Sequence, residues 1–330
     1  MSRLATRAEI IKLARLLKLE EPQLAFLAQQ DVTQIRALRE RLSAALYDSS
    51  RSRLVRVAAA SKLIPVALVA TIGQKLYGPL LCARVTGLLA PARAVEVALK
   101  LSPRFLADVS VELDPRSARE VIALLPAQCV VAVAQELLTR REYLTMARFV
   151  DFLSDVVIRE VASTIRDDRA LLEIAFFIES PQRLETVIGL LPAERLRGVI
   201  RTAAGDVQGL WSEALSMMTQ VSPTLRGRMG DLTAALDDAQ LTAVIEAVNQ
   251  GRLWGAWLTV LTAMSADAQR RVLALSAHQT PEALSALATA AREQGIWDQL
   301  KPMLALMSAA PRQQLEDFFG RLKSAVRNLG

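Results

Sequence analysis

Gln208-Gly209-Leu210-Trp211, Gln250-Gly251-Arg252-Leu253-Trp254 and Gln294-Gly295-Ile296-Trp297 are three versions of one phrase. Their tryptophans stand 43 residues apart, and each is followed 11 residues later by a serine: Ser222, Ser265 and Ser308. Self-similarity at a fixed period marks a chain of stacked units, each covering its apolar face against its neighbours. Composition agrees. Hydrophobic residues make up 52% of the 330, yet aromatics only 5%, so Ala and Leu carry the apolar content and favour helix over strand. These features predict an all-α fold, a right-handed superhelix or α-solenoid of about twenty short helices.

A second rhythm precedes the tryptophans. Leu89-Ala90-Pro91, Leu101-Ser102-Pro103, Leu113-Asp114-Pro115 and Leu125-Pro126 fall at intervals of 12, 12 and 11 residues. Proline suits the first helical position, where its missing N–H would have no partner anyway, and Ser or Asp just before it caps the helix. Each Leu-x-Pro therefore predicts a turn between two short helices. The pattern returns at Pro181 and Pro192, with Asp155 and Asp167-Asp168 opening helices in between. Tyr77 and Tyr143 take the tryptophan's place in this part. The aromatic spacings are 66, 68, 43 and 43 residues, so the two long units hold one extra pair of helices each.

The phrases LSPRFLADVSVELDPRSAREVIALLPAQCVV and IESPQRLETVIGLLPAERLRGVI, within roughly residues 88–203, resemble the N-terminal superhelical domain of MgtE-type magnesium transporters. The resemblance implies a helical superhelix. It does not carry over a transport activity, because the family's CBS pair and membrane pore have no counterpart in this sequence, and no ligand residues match.

Residues 1–62 lack the repeat phrase. Arg7–Leu17 is a short amphipathic run, Pro22 starts another, Asp31 caps a run to Leu46, and Asp48-Ser49-Ser50 opens a helix through Lys62. We therefore expect a basic helical cap over 1–62 and a continuous solenoid over 63–330. The cap holds 12 Lys+Arg against 6 Asp+Glu, and the remainder 28 against 28, so the net charge of +6 lies in the cap. That excess is either an ordinary solvated face or a surface for an acidic partner such as an anionic membrane. Nucleic acid is not expected, since 63–330 is neutral and offers no continuous basic stripe.

Chemistry is sparse. The single histidine, His278, lies in the turn SAHQTPEA, with no nucleophile signature near it. Cys82 and Cys129 sit in apolar surroundings and read as buried thiols of a reducing cytoplasm. Gly227-Arg228-Met229-Gly230 is too short for a phosphate loop and follows no strand. Asp167-Asp168 and Asp237-Asp238 are capping carboxylates at helix starts. No enzyme activity, metal or cofactor is expected. The best membrane candidate, Leu63–Gly73, is about half the length a span requires, is bracketed by Lys62 and Lys75, and contains Pro65. The N-terminus has no uninterrupted apolar core of the kind a secretory leader needs.

Two features bear on function. Trp211, Trp254 and Trp297 are either packing anchors between repeats or an aromatic ladder lining a groove, and strict repetition favours anchors. Several segments are apolar on every helical face: Leu63–Thr71, Leu76–Ala83, Cys129–Ala134 and Ala175–Ile178. Either the superhelix closes tightly on them, or a partner helix, a second copy or a lipid covers them. Closure is the favoured expectation. The candidates for interior or ligand-facing positions are Leu63, Tyr77, Cys129, Val130, Tyr143, Phe149, Phe176 and Phe177. The expected function is a cytoplasmic, non-enzymatic superhelical scaffold for a protein partner. The alternative is a carrier or sensor for a hydrophobic small molecule or lipid inside the superhelix.

Overall fold

The computed structural model describes residues 3–48, 51–61, 63–206 and 209–327. Ser49, Ser50, Lys62 and Gln208, which figure in the helix starts and the repeat phrase above, lie outside the described residues. The fold is all-α. The described residues form 22 α-helices, four 3-10 segments and one π turn, and no strand. The chain divides into two compact units, Met1–Arg183 and Leu184–Gly330.

The first unit opens with α1 (Arg3–Leu17), α2 (Val32–Asp48) and α3 (Arg51–Ser61). It continues with α4 (Val66–Ile72), α5 (Gly78–Thr86), α6 (Pro91–Ala98), α7 (Pro103–Glu112) and α8 (Arg119–Leu124). Then come α9 (Ala127–Thr139), α10 (Tyr143–Phe149), α11 (Asp155–Thr164), α12 (Asp168–Phe176) and the start of α13 (Pro181–Leu190). Packing follows alternate helices. One row runs α3 on α5, α5 on α7, α7 on α9 and α9 on α11, and a second runs α4 on α6 and α6 on α8. Apolar clusters fill the space along these rows. Ala83, Phe105, Val109 and Val121 form one, and Ala107, Leu137, Met146 and Ile174 the next.

The second unit holds α14 (Ala193–Gly205), α15 (Leu210–Gln220), α16 (Pro223–Ala234), α17 (Asp238–Gln250) and α18 (Trp254–Leu261). After these come α19 (Ala266–Ala274), α20 (Pro281–Glu293), α21 (Trp297–Leu304) and α22 (Ala309–Arg327). The same alternation holds: α14 on α16, α16 on α18, α18 on α20 and α20 on α22.

The Leu-x-Pro rhythm sets the helix starts. Pro91, Pro103, Pro181, Pro223 and Pro281 are first residues of helices, Pro115 starts a 3-10 turn, and Pro126 and Pro192 directly precede helices. The side chains of Ser102, Ser154, Asp167, Ser222, Asp237, Ser265 and Thr280 each accept a backbone N–H of the first helical turn. Each such cap contributes about 1 kcal/mol.

Helix C-termini are closed by a device that repeat counting did not reveal. Arg148 donates to the Leu113 carbonyl (2.7 Å) and Arg271 to the Leu236 carbonyl (2.6 Å). Arg93 reaches the Ile64 carbonyl, and Arg183 those of Val150 (3.0 Å) and Leu153. Each arginine reaches back about one helix pair, meeting last-turn or loop carbonyls that the helix leaves without partners. Burial pushes the Arg148 guanidinium below its ordinary range.

The basic N-terminal helices are tied together, and to the rest of the first unit, by ion pairs. Glu9, only 1% exposed, accepts from Lys12 (3.2 Å) and Arg39 (3.0 Å) and pairs with Arg36 (3.3 Å). Glu179 accepts from the same Lys12 (3.0 Å) and Arg39 (2.9 Å), Glu142 pairs with Arg15, and Arg116 with Glu40 (3.1 Å). Burial alone would raise the Glu179 carboxyl. The charges of Lys12, Arg39 and Arg36 outweigh it and hold the group below its usual value. Much of the cationic excess of residues 1–48 is thus consumed internally.

Candidate functional site

The tryptophans open short helices and point inward. Trp254 and Trp297 are first residues of α18 and α21, and Trp211 is second in α15. Trp211 and Trp254 are buried and Trp297 is half-buried. The centre of this core is a residue outside the 43-residue series. Trp257, fully buried, meets Trp211 edge to face at 6.3 Å and donates its indole N–H to Nε2 of His278 at 2.9 Å. Trp254 packs edge-on against the same imidazole, with centroids 5.3 Å apart, and donates to Asn249 Oδ1 at 3.3 Å.

His278 sits in the 3-10 turn Ser276–His278 that leads into α20, and it is fully buried. Burial penalises the imidazolium and lowers its pKa from 6.5 to about 4. With Nε2 accepting from Trp257, the proton of the neutral ring resides on Nδ1, which is buried and, among the described residues, has no hydrogen-bond partner; the same holds for Trp211 Nε1. A base whose lone pair is taken by an indole and which does not reach solvent cannot collect a proton from a substrate. The arrangement packs and orients; it does not present a reactive group.

The eight interior candidates fall into different places. Tyr143 and Phe177 pack beside the Ala107–Leu137–Met146–Ile174 cluster, and Phe149 beside the Phe105–Val109–Val121 cluster. Phe176 meets Phe177 edge to face at 5.0 Å. Cys129 and Val130, on α9, are half-buried. Leu63 and Tyr77 face solvent instead, 90% and 49% exposed. The structure does not bring the eight together around one cavity.

Tight closure is overturned for 63–80. Leu68, Leu76 and Leu80 are also exposed there. The estimate of a run half a span long needs correction too. The apolar run does not stop at Gly73. A π turn over Gly73–Tyr77 joins α4 to α5, and Gly78, at φ +72°, supplies the one left-handed step. The continuous run Val66–Thr86, 21 residues, is among the described residues the one helix long and apolar enough to cross a membrane.

Other sequence features find structural roles. Gly227 and Gly230 let α16 approach α18: a Cβ at Gly227 would strike the Ala263 carbonyl oxygen, and one at Gly230 would lie 2.7 Å from Met264. A groove of about 530 Å³ beside this crossing is lined by Pro223, Arg228, Asp231, Leu232 and Ser265. Cys82 and Cys129 are half-buried free thiols, and burial raises both. Among the described residues no group of three or more His, Cys, Asp or Glu could hold a metal ion.

No family model, no curated protein and no solved structure matches this chain.

Proposed function

We infer that this protein is a non-enzymatic helical-repeat scaffold for a protein partner. The observation that carries this is the alternate-helix packing within each unit, in which helices stack in rows. Such rows suit recognition of an extended partner surface. Burial of the lone histidine against Trp257 fits a role without acid–base chemistry. The resemblance to the MgtE-type superhelical domain, carried by the Leu-x-Pro phrases, agrees with a superhelical, cytoplasmic binding module. A carrier of a hydrophobic small molecule has weaker support, because its candidate residues are dispersed between clusters and solvent.

In the first unit, large apolar side chains stand exposed at element ends along the proline rhythm: Leu99 after α6, Leu124 at the end of α8 and Val156 in the first turn of α11. These are the contact points we assign to the partner. Chemical cross-linking in the native host, with the complex sized by native mass spectrometry, tests this. A stoichiometric protein complex lost in Leu124→Glu/Val156→Glu, with helicity unchanged, is expected. A complex indifferent to both substitutions would remove the assignment.

A further inference from the structure

The densest positive charge in the chain coincides with its most exposed apolar helix. Residues 49–95 contain seven Lys and Arg and no Asp or Glu, against a net charge of +6 for the whole protein. The exposed helical run Val66–Thr86 lies inside this stretch. Only 11% of the most apolar 18-residue window of that run is buried. A core helix of the same composition would be mostly covered. Leu63, Leu68, Leu76, Tyr77 and Leu80 stand out from it into solvent. Arg56 on α3 and Lys75 in the π turn are exposed, and among the described residues neither is drawn into an ion pair. They differ in this from the cations of α1 and α2, which Glu9, Glu142 and Glu179 neutralise.

We propose that the exposed face of Val66–Thr86, with Leu63 and Arg56 beside it, is a docking surface for an anionic lipid bilayer. Charge decides among occupants. A second copy of this chain would set this net-positive stretch against itself. A neutral apolar ligand would leave the cations without a role. An anionic headgroup layer over hydrocarbon complements both features at once: leucines enter the acyl boundary, and Arg56 and Lys75 meet the phosphates. Tyr77, half-exposed at the junction of α4 and α5, has the amphipathic ring favoured at headgroup depth.

The run lies in the interface and does not span the bilayer. Its inner side is engaged, since α4 packs on α6, and α5 on both α3 and α7. Spanning would strip those contacts and place Lys75 near mid-bilayer, at a cost that lying flat avoids. The surface shares no residue with Leu99, Leu124 and Val156, assigned to a protein partner, so either assignment can fail alone.

The test is co-sedimentation of the full chain with vesicles of phosphatidylcholine alone and of phosphatidylcholine mixed with phosphatidylglycerol. Binding is expected only to the mixed vesicles and should fall with added salt. Arg56→Gln and Lys75→Gln should each weaken it roughly fivefold. Leu68→Glu/Leu76→Glu should lower it more than tenfold; both positions are exposed, so helicity should be unchanged. In a second measurement, Tyr77→Trp should be quenched by brominated lipid beyond the parent protein, whose Trp211, Trp254 and Trp257 are buried and Trp297 half-buried. Four results would overturn the proposal: equal binding to both vesicle types, no binding to the mixed vesicles, binding insensitive to these substitutions, or a concentration-dependent dimer that the leucine substitutions abolish.

Discussion

Trp257 donates its indole N–H to Nε2 of His278 across 2.9 Å, inside a core that solvent does not reach. Burial of this imidazole couples the stability of the second unit to pH. The imidazole is neutral in the fold, with its pKa lowered to about 4 by burial, and titrates near 6.5 when unfolded. Below pH 6.5 the unfolded chain takes a proton that the folded one refuses. Stability from this group is therefore complete above about pH 7 and is lost as pH falls from 6.5 toward 4, by up to about 3 kcal/mol. Denaturant titrations at about pH 7.5 and pH 4.5 check this. His278→Gln retains an acceptor for Trp257 and should lose less stability on acidification than the parent protein. An identical acid sensitivity in both would assign the effect to carboxylates elsewhere.

Glu9 carries three cationic neighbours while only 1% exposed. Glu9→Gln leaves Lys12 and Arg39 near a neutral amide in a dry site. Removing one partner of a buried charge network costs about 3 kcal/mol or more. Urea unfolding should show that loss, whereas Glu194→Gln, which removes an exposed pairing with Arg197 in α14, should change stability by less than about 1 kcal/mol.

Two glycines within helices should respond in opposite directions to alanine. Gly227→Ala drives a methyl into the Ala263 carbonyl, and overpacking of this kind costs about 1–3 kcal/mol. Gly189 in α13 has nothing within 4 Å of the Cβ it would gain, so Gly189→Ala should stabilise by about 0.5–1 kcal/mol. Thermal unfolding of the two variants compares them directly.

Helix starts were legible in the sequence because their chemistry is local. Proline at a first helical position and Ser or Asp before it act within one turn, as Ser102-Pro103 and Ser222-Pro223 show. The aromatic period marked Trp211 and Trp254 as anchors for the same reason that a repeat exists at all. Trp257 escaped notice because it falls outside the period, although it holds the centre of that core. His278 was placed correctly in a turn, but its burial depends on α17 and α18, far away in sequence. The arginine clamps connect residues about 30–40 positions apart. A trace of them is visible in Pro91-Ala92-Arg93 and Pro181-Gln182-Arg183, where the arginine follows the proline by two. The apolar run Leu63–Gly73 proves only the first part of a longer one, because a π turn over Gly73–Tyr77 leads α4 on into α5. No local pattern distinguishes an apolar helix that is covered from one left open, so Leu63 and Tyr77 were expected inside and stand outside.

The central structural claim is that the 43-residue tryptophan repeat encodes packing, leaving recognition to the outer faces. Trp254 tests it best: it is the middle of three matched residues, it is buried, and its ring lies against His278. Chemical denaturation of Trp254→Ala, followed by far-UV circular dichroism, is the measurement. The account predicts a loss of about 3–5 kcal/mol with native helicity retained before the transition. A variant as stable as the parent would contradict it, and would show that the repeated tryptophan does not hold the fold.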